Sequence, residues 1–157
     1  MGRKKTWQEK LHDDKGLPSV VTLDGAMAER WHARTMVIPA PVEVDALMRS
    51  VPRGKVITLD MIRRRLAVHH GTDTACPLTT GLFAWIAANA AEEAAAQGAS
   101  APTPYWRTLK AGGALNPKYP GGIAVQQALL EAEGHIIVAG TKSRPPRVRD
   151  FELALMD

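Results

Sequence analysis

Cys76 is the only cysteine in this 157-residue chain, and so its only thiol. It stands directly before Pro77 and a helical stretch, where the dipole of a helix N-terminus lowers a thiol's pKa. In that place it is a candidate alkyl acceptor, although lone cysteines are mostly inert. The run Pro104-Tyr105-Trp106-Arg107 offers a different chemistry. A phenol and an indole supply stacking surface and hydrogen bonds, but not the thiolate that covalent transfer consumes. The histidines (His12, His32, His69, His70 and His135) show no metal-ligand spacing with Cys76. No metal and no cofactor are expected. Arg53, Lys55, Arg63, Arg64, Arg65, Arg107, Lys110 and Lys118 are cations that can neutralise phosphates, although a triple-arginine run on a helix is usually just a solvated face.

Composition sets outer bounds. Hydrophobic residues make up 45% and charged residues 23%, ordinary for a soluble globular chain of one domain with tails. No apolar run reaches membrane-spanning length; Gly81 to Ala91 is the longest, and Asn89 interrupts it. Arg3-Lys4-Lys5 is followed by no apolar segment, so it does not read as a secretory signal. Met1-Gly2 with Thr6 fits a loose myristoylation pattern, for which chance is the better explanation. A single cysteine excludes an internal disulfide and fits a reducing compartment. The net charge of +4 permits an anionic partner without demanding one.

The elements that must position these residues are mainly helical. Residues 1–40 read as an extended arm, on which Trp7 and Leu11, spaced i, i+4, clip one helical turn to the core. Pro41 opens a helix with the apolar stripe Val44, Leu47, Met48 and Val51. Thr58 caps a second helix through about Val68, with Arg63-Arg64-Arg65 on its outer side. After a polar loop from His69 to Leu78, Thr79 or Thr80 caps a third, alanine-rich helix from Gly81 to about Gln97. Helix, loop, helix in this order fits a helix-turn-helix. A further helix, Ile123 to Glu133, ends at Gly134. Residues 135–157 read as a C-terminal β-hairpin and a short helix.

Three blocks in order resemble the C-terminal, DNA-binding domain of the alkylguanine-DNA alkyltransferases, over roughly Val42 to Gly134. Val51-Pro52-Arg53-Gly54-Lys55-Val56-Ile57-Thr58-Leu59 resembles the family's Ile-Pro-x-Gly-x-Val-x-Ser/Thr-Tyr segment. Pro104 to Arg107 stands where the family has Pro-Cys-His-Arg. Tyr119-x-Gly121-Gly122-Ile123 through Leu129-Leu130-x-x-Glu133 keeps the family spacing without a gap. The resemblance implies residues 41–134 as a mainly α, winged-helix-like helix-turn-helix DNA-binding domain.

In that family a recognition helix enters the minor groove, a tyrosine displaces the target base, an arginine fills the gap, and the cysteine takes the alkyl group. Extruding the base is what chemistry on a stacked base requires. By the resemblance, the cysteine position is Tyr105, the histidine position Trp106, the tyrosine position Leu59 and the arginine position Phe83. Val125 and Gln126 stand where the family is often basic, and the hinge asparagine has no counterpart between Ala90 and Ala114. Glu133 matches the buried carboxylate partner of the histidine, which the indole N–H of Trp106 can satisfy.

The departures together exclude transfer by the family route. They place the chain nearest in type to the cysteine-lacking alkyltransferase-like proteins, which bind alkylated bases and hand the lesion to a repair protein. The expectation is therefore a monomeric, cytoplasmic, non-enzymatic protein that binds duplex DNA through the minor groove. Tyr105, Trp106 and Glu133 form either a packed plug or an open base-accepting pocket. Leu59 and Phe83 are either an apolar wedge or core residues. The alternatives are an alkyl-accepting enzyme using Cys76 and a protein-interaction module on the same fold.

Overall fold

Caps and breakers set most of the helix ends in the computed structural model, which describes residues 3–157. Met1 and Gly2, and the myristoylation-type pattern they open, lie outside the described residues. The Thr6 hydroxyl accepts from the Glu9 N–H and starts α1 (Trp7–His12). The Thr58 hydroxyl accepts from the Met61 N–H and starts α4 (Leu59–His70), which Gly71 ends in a left-handed conformation. Pro41 and Pro77 occupy first-turn positions of α3 (Pro41–Arg49) and α5 (Pro77–Ala96).

Helix α5 begins four residues before the expected Gly81, with Cys76 at its N-cap. Neither expected threonine caps it: the Thr80 hydroxyl donates back to the Cys76 carbonyl at 2.6 Å from inside the first turn. Pro77 needs no N–H partner, so the helix starts there instead of at a hydroxyl cap. The remaining helices are α2 (Gly25–Trp31) and α6 (Gly122–Ala132).

Residues 7–38 are built into the fold, whereas the sequence reads as an extended arm there. Strands β1 (Ser19–Thr22) and β2 (Thr35–Ile38) pair antiparallel, and β4 (Thr74–Ala75) adds to β2 in parallel. The strands are short and the turn residues around them dilute the apolar alternation, so periodicity alone did not mark them. Helix α1 docks on α5 through its backbone: the Glu93 carboxylate accepts from the Trp7 and Gln8 N–H groups at 3.0 and 3.1 Å. This satisfies two of the open donors of a helix N-terminus. Trp7 meets Trp85 edge to face, with ring centres 4.8 Å apart.

The main core lies between α1, α3, α4 and α5, with Leu11, Val44, Met48, Ile62, Leu66, Phe83, Ala84, Ala87 and Ala88 buried in it. Alanines along α5 let these helices approach closely. A second core (Val56, Leu109, Leu115, Leu130 and Val148) joins the C-terminal third to a parallel pair, β3 (Ile57–Thr58) with β5 (Thr108–Leu109). The expected C-terminal hairpin is present as β6 (Ile137–Val138) and β7 (Arg147–Val148), followed by the short 3-10 turn Phe151–Ala154. Residues 71–76, which include β4, connect α4 to α5, a shorter connection than the expected loop. Among the described residues, no helix is long and apolar enough to cross a membrane.

Candidate nucleic-acid interface

The motif Pro104-Tyr105-Trp106-Arg107 folds as a 3-10 turn (Tyr105–Arg107) wedged between α5 and α6. Tyr105 is 1% exposed and packs edge to face against both Trp106 and Tyr119. Its hydroxyl donates to the Glu92 carboxylate at 2.9 Å. Burial, reinforced by that carboxylate, pushes the phenol far above its ordinary pKa. A phenol held this firmly protonated is no nucleophile at neutral pH. The side chain is thus packed inside the fold between Trp106 and Tyr119.

Glu133 holds the motif in place. Arg107 clasps its carboxylate from Nε and Nη2 at 2.8–3.1 Å, and the Trp106 indole N–H donates to it at 3.0 Å. Arg107 also donates through Nη1 to the Val51 carbonyl at 2.8 Å. One ion pair thus ties the end of α6 to the motif and to the Pro52-Arg53-Gly54 turn before β3. The two side chains are only 13% and 4% exposed. Burial alone raises the Glu133 carboxyl, but the hydrogen bonds from Arg107 and Trp106 outweigh it and hold the group below the usual carboxylate range. Gln126, fully buried, braces the same region: it accepts from the Asn116 N–H at 2.7 Å and donates to the Trp106 carbonyl at 3.2 Å.

An open groove lies between the starts of α4 and α5 and the segment that follows the motif. It has a volume of about 460 Å³ and is lined by Leu59, Pro77, Leu78, Gly81, Leu82, Trp85, Lys110, Asn116 and Lys118. Leu78 is 79% exposed and Leu82 45%, an unusual cost for two leucines on one face of a helix. Both project from the first half of α5, and Leu59 faces them from the start of α4. Lys110 and Lys118, from the loop after the motif, are exposed cations. Leu82 also lines a second cleft with Lys5, Lys10, Asp13, Lys15 and Leu17, where Lys5 pairs with Asp13 at 2.6 Å and the lysines outnumber the carboxylate.

The residues expected from sequence to touch DNA fall into two groups. Phe83 is 8% exposed and belongs to the core, so it presents no wedge; one residue along the helix, Leu82 takes the exposed face. The 100° step between neighbouring helical residues accounts for that difference. Arg107 is committed to Glu133 and is not free for a phosphate. Arg53, Lys55, Arg64, Lys110 and Lys118 are exposed, Arg53 also donating to the Ala132 carbonyl at 3.1 Å. Arg63 turns inward to the Ala75 carbonyl and the Thr74 hydroxyl, and Arg65 to the Asp157 carbonyl. The arginine run therefore does not act as one cationic face. Leu78, Leu82 and Trp85 line the groove but were not among the residues expected from sequence; a leucine pair spaced i, i+4 on the outer side of an alanine helix was the available signal.

Neither Tyr105 nor Cys76 lines the groove. Cys76 is half-buried at the N-cap of α5, packed against the small cluster of Leu23, Ala33 and Met36, and lines none of these clefts. The intact mass of the protein after incubation with O6-alkylguanine duplex is expected to be unchanged. A gain equal to one alkyl group, mapped to Cys76, would reverse this reading.

No protein-family model matches the sequence, and no curated protein matches it. Among solved structures, the fold is similar to the crystal structure of S. pombe Atl1 in complex with damaged DNA containing O6-carboxymethylguanine. The TM-score is 0.50 with 18% sequence identity, covering 74% of this chain and 94% of that one. At this identity the likeness concerns the backbone alone: this chain shares the architecture of that DNA-bound protein.

Proposed function

We propose that this protein binds duplex DNA along the α4–α5 face and senses modified bases without removing the modification. The observation that carries the reading is the exposed leucine ridge of α5 flanked on both sides by lysines. Apolar side chains wedge between base steps in a minor groove, while cations on either side neutralise the two phosphate backbones. The helix-turn-helix role of α4 and α5, with α5 entering the minor groove as a monomer, is part of the proposal. So is the delivery of the bound lesion to a repair protein in the cytoplasm. The fold shared with a protein solved on damaged DNA supports it, as do the three motif blocks. The buried, protonated Tyr105 supports the absence of transfer chemistry.

The test is fluorescence anisotropy with plain and O6-alkylguanine duplexes at two salt concentrations. Binding is expected to weaken steeply with salt, the logarithm of affinity falling by about 0.9 per phosphate contacted for each decade of salt. Lys110→Glu and Lys118→Glu are each expected to reduce that slope by about one contact. The alkylated duplex is expected to bind more tightly. Equal affinity for the two duplexes removes lesion sensing, and no binding at low salt removes the whole reading.

A further inference from the structure

Folding brings the C-terminal end of α4 against the N-terminal turn of α3, and three metal-ligating side chains meet there. One donor atom each from Glu43, His69 and His70 lies within 4.8 Å of the other two. His70 Nε2 and Glu43 Oε2 are 2.6 Å apart, and the two imidazoles stand nearly perpendicular with centres 4.9 Å apart. We propose that Glu43, His69 and His70 bind a divalent transition-metal ion of the Zn2+ class.

Four features support the assignment. Two imidazoles and one carboxylate are a donor set that suits zinc and its neighbours, whereas Mg2+ and Ca2+ prefer oxygen alone. Donors bonded to one tetrahedral zinc ion sit about 3.3 Å apart. The ion therefore enters by opening the His70–Glu43 contact by less than an ångström and swinging the exposed His69 inward. Glu43 is already oriented, because its other oxygen accepts the Ala40 N–H at 2.9 Å. Holding a ligating carboxylate in place in this way is what strengthens a metal site. Finally, both histidines lie in the last turn of α4, where the negative end of the helix dipole favours a cation.

The residues are His-His on one helix and a glutamate 26 positions earlier on another, so no local motif announces them. The sequence expectation of no metal rested on spacing around Cys76, and this cluster does not involve Cys76. Glu43 and His70 are partly buried, with side chains 20% and 17% exposed. Three protein donors leave at least one position open to water, the form of a site that exchanges its ligand and not of a closed structural tetrad.

The proposal is tested on the full chain without a histidine tag, by competition with a chromophoric zinc chelator. One Zn2+ per chain is expected, with Mg2+ giving no competition. His69→Ala is expected to weaken Zn2+ binding by about tenfold or more. Because His69 is exposed, this variant is expected to keep the wild-type melting curve without metal, which separates ligand loss from unfolding. Glu43→Gln serves as a second variant with the same expected direction. Failure of the wild-type chain to compete for Zn2+ overturns the proposal. So does binding that is undiminished in His69→Ala and Glu43→Gln.

Discussion

Glu133→Gln is expected to lower the melting temperature by about 6–12 °C. Removing one partner of a buried ion pair costs roughly 3–5 kcal/mol, and a domain of this size loses about 2–4 °C per kcal/mol; we take the lower end because Arg107 keeps some solvent contact. The remaining Arg107 keeps its bond to the Val51 carbonyl but loses the charged acceptor that balances its burial. Adding Arg107→Met removes the stranded charge, so the double variant is expected to regain part of the loss. A single variant that melts within a degree of wild type would show that the pair does not hold the motif loop.

The same ion pair predicts an acid dependence. Glu133 has a depressed pKa in the folded chain, so the folded state binds fewer protons than the unfolded state between the two values. Its contribution is complete above the unfolded glutamate value of about 4.3 and is lost as pH falls through the lower folded value. Urea titrations of wild type and Glu133→Gln from neutral pH downward are therefore expected to converge in stability as the carboxyl protonates. A difference that stays constant through this range contradicts the assignment of the shift.

Replacing Leu78 and Leu82 together by alanine is expected to weaken DNA binding by about 100-fold, or roughly 2.8 kcal/mol. Leu78 is largely in solvent and Leu82 nearly half exposed, so the free protein gives up limited burial and its melting temperature is expected to stay near wild type. Alanine preserves the helix, since it is the best helix former. Anisotropy titrations of the wild-type and double-variant proteins on the same duplex at one salt concentration measure the effect. Unaltered affinity would move the DNA-binding face away from the α5 ridge. Phe83→Ala is the contrasting case: it opens a cavity in the core and acts on stability instead.

Where side-chain type constrains the backbone, the sequence was legible. Pro41 and Thr58 marked helix starts, and Gly134 lies just beyond a helix end with the positive φ that glycine tolerates. Gly121 was legible through its motif, and the reason is visible: at φ +78° an added Cβ would lie 2.3 Å from a Val125 methyl. The pairing of the Trp106 indole with Glu133 was also anticipated, because a buried carboxylate must find donors. Arg107 was read as a phosphate contact, since nothing local shows that a guanidinium has a partner 26 residues away.

By itself, the sequence determined that the motif presents a phenol and an indole and no thiol, because Tyr105 and Trp106 carry those groups wherever they fold. It likewise marked the helices α3 to α6 and the C-terminal hairpin, which follow from local caps, turns and periodicity. Only the tertiary structure decided which side of α5 faces out, that residues 7–38 pack into the fold, that the three arginines point different ways, and that Glu43 meets His69 and His70. Each of these depends on which surfaces a helix or strand buries against distant segments. That choice is settled by packing the whole core, and no short window of sequence contains it.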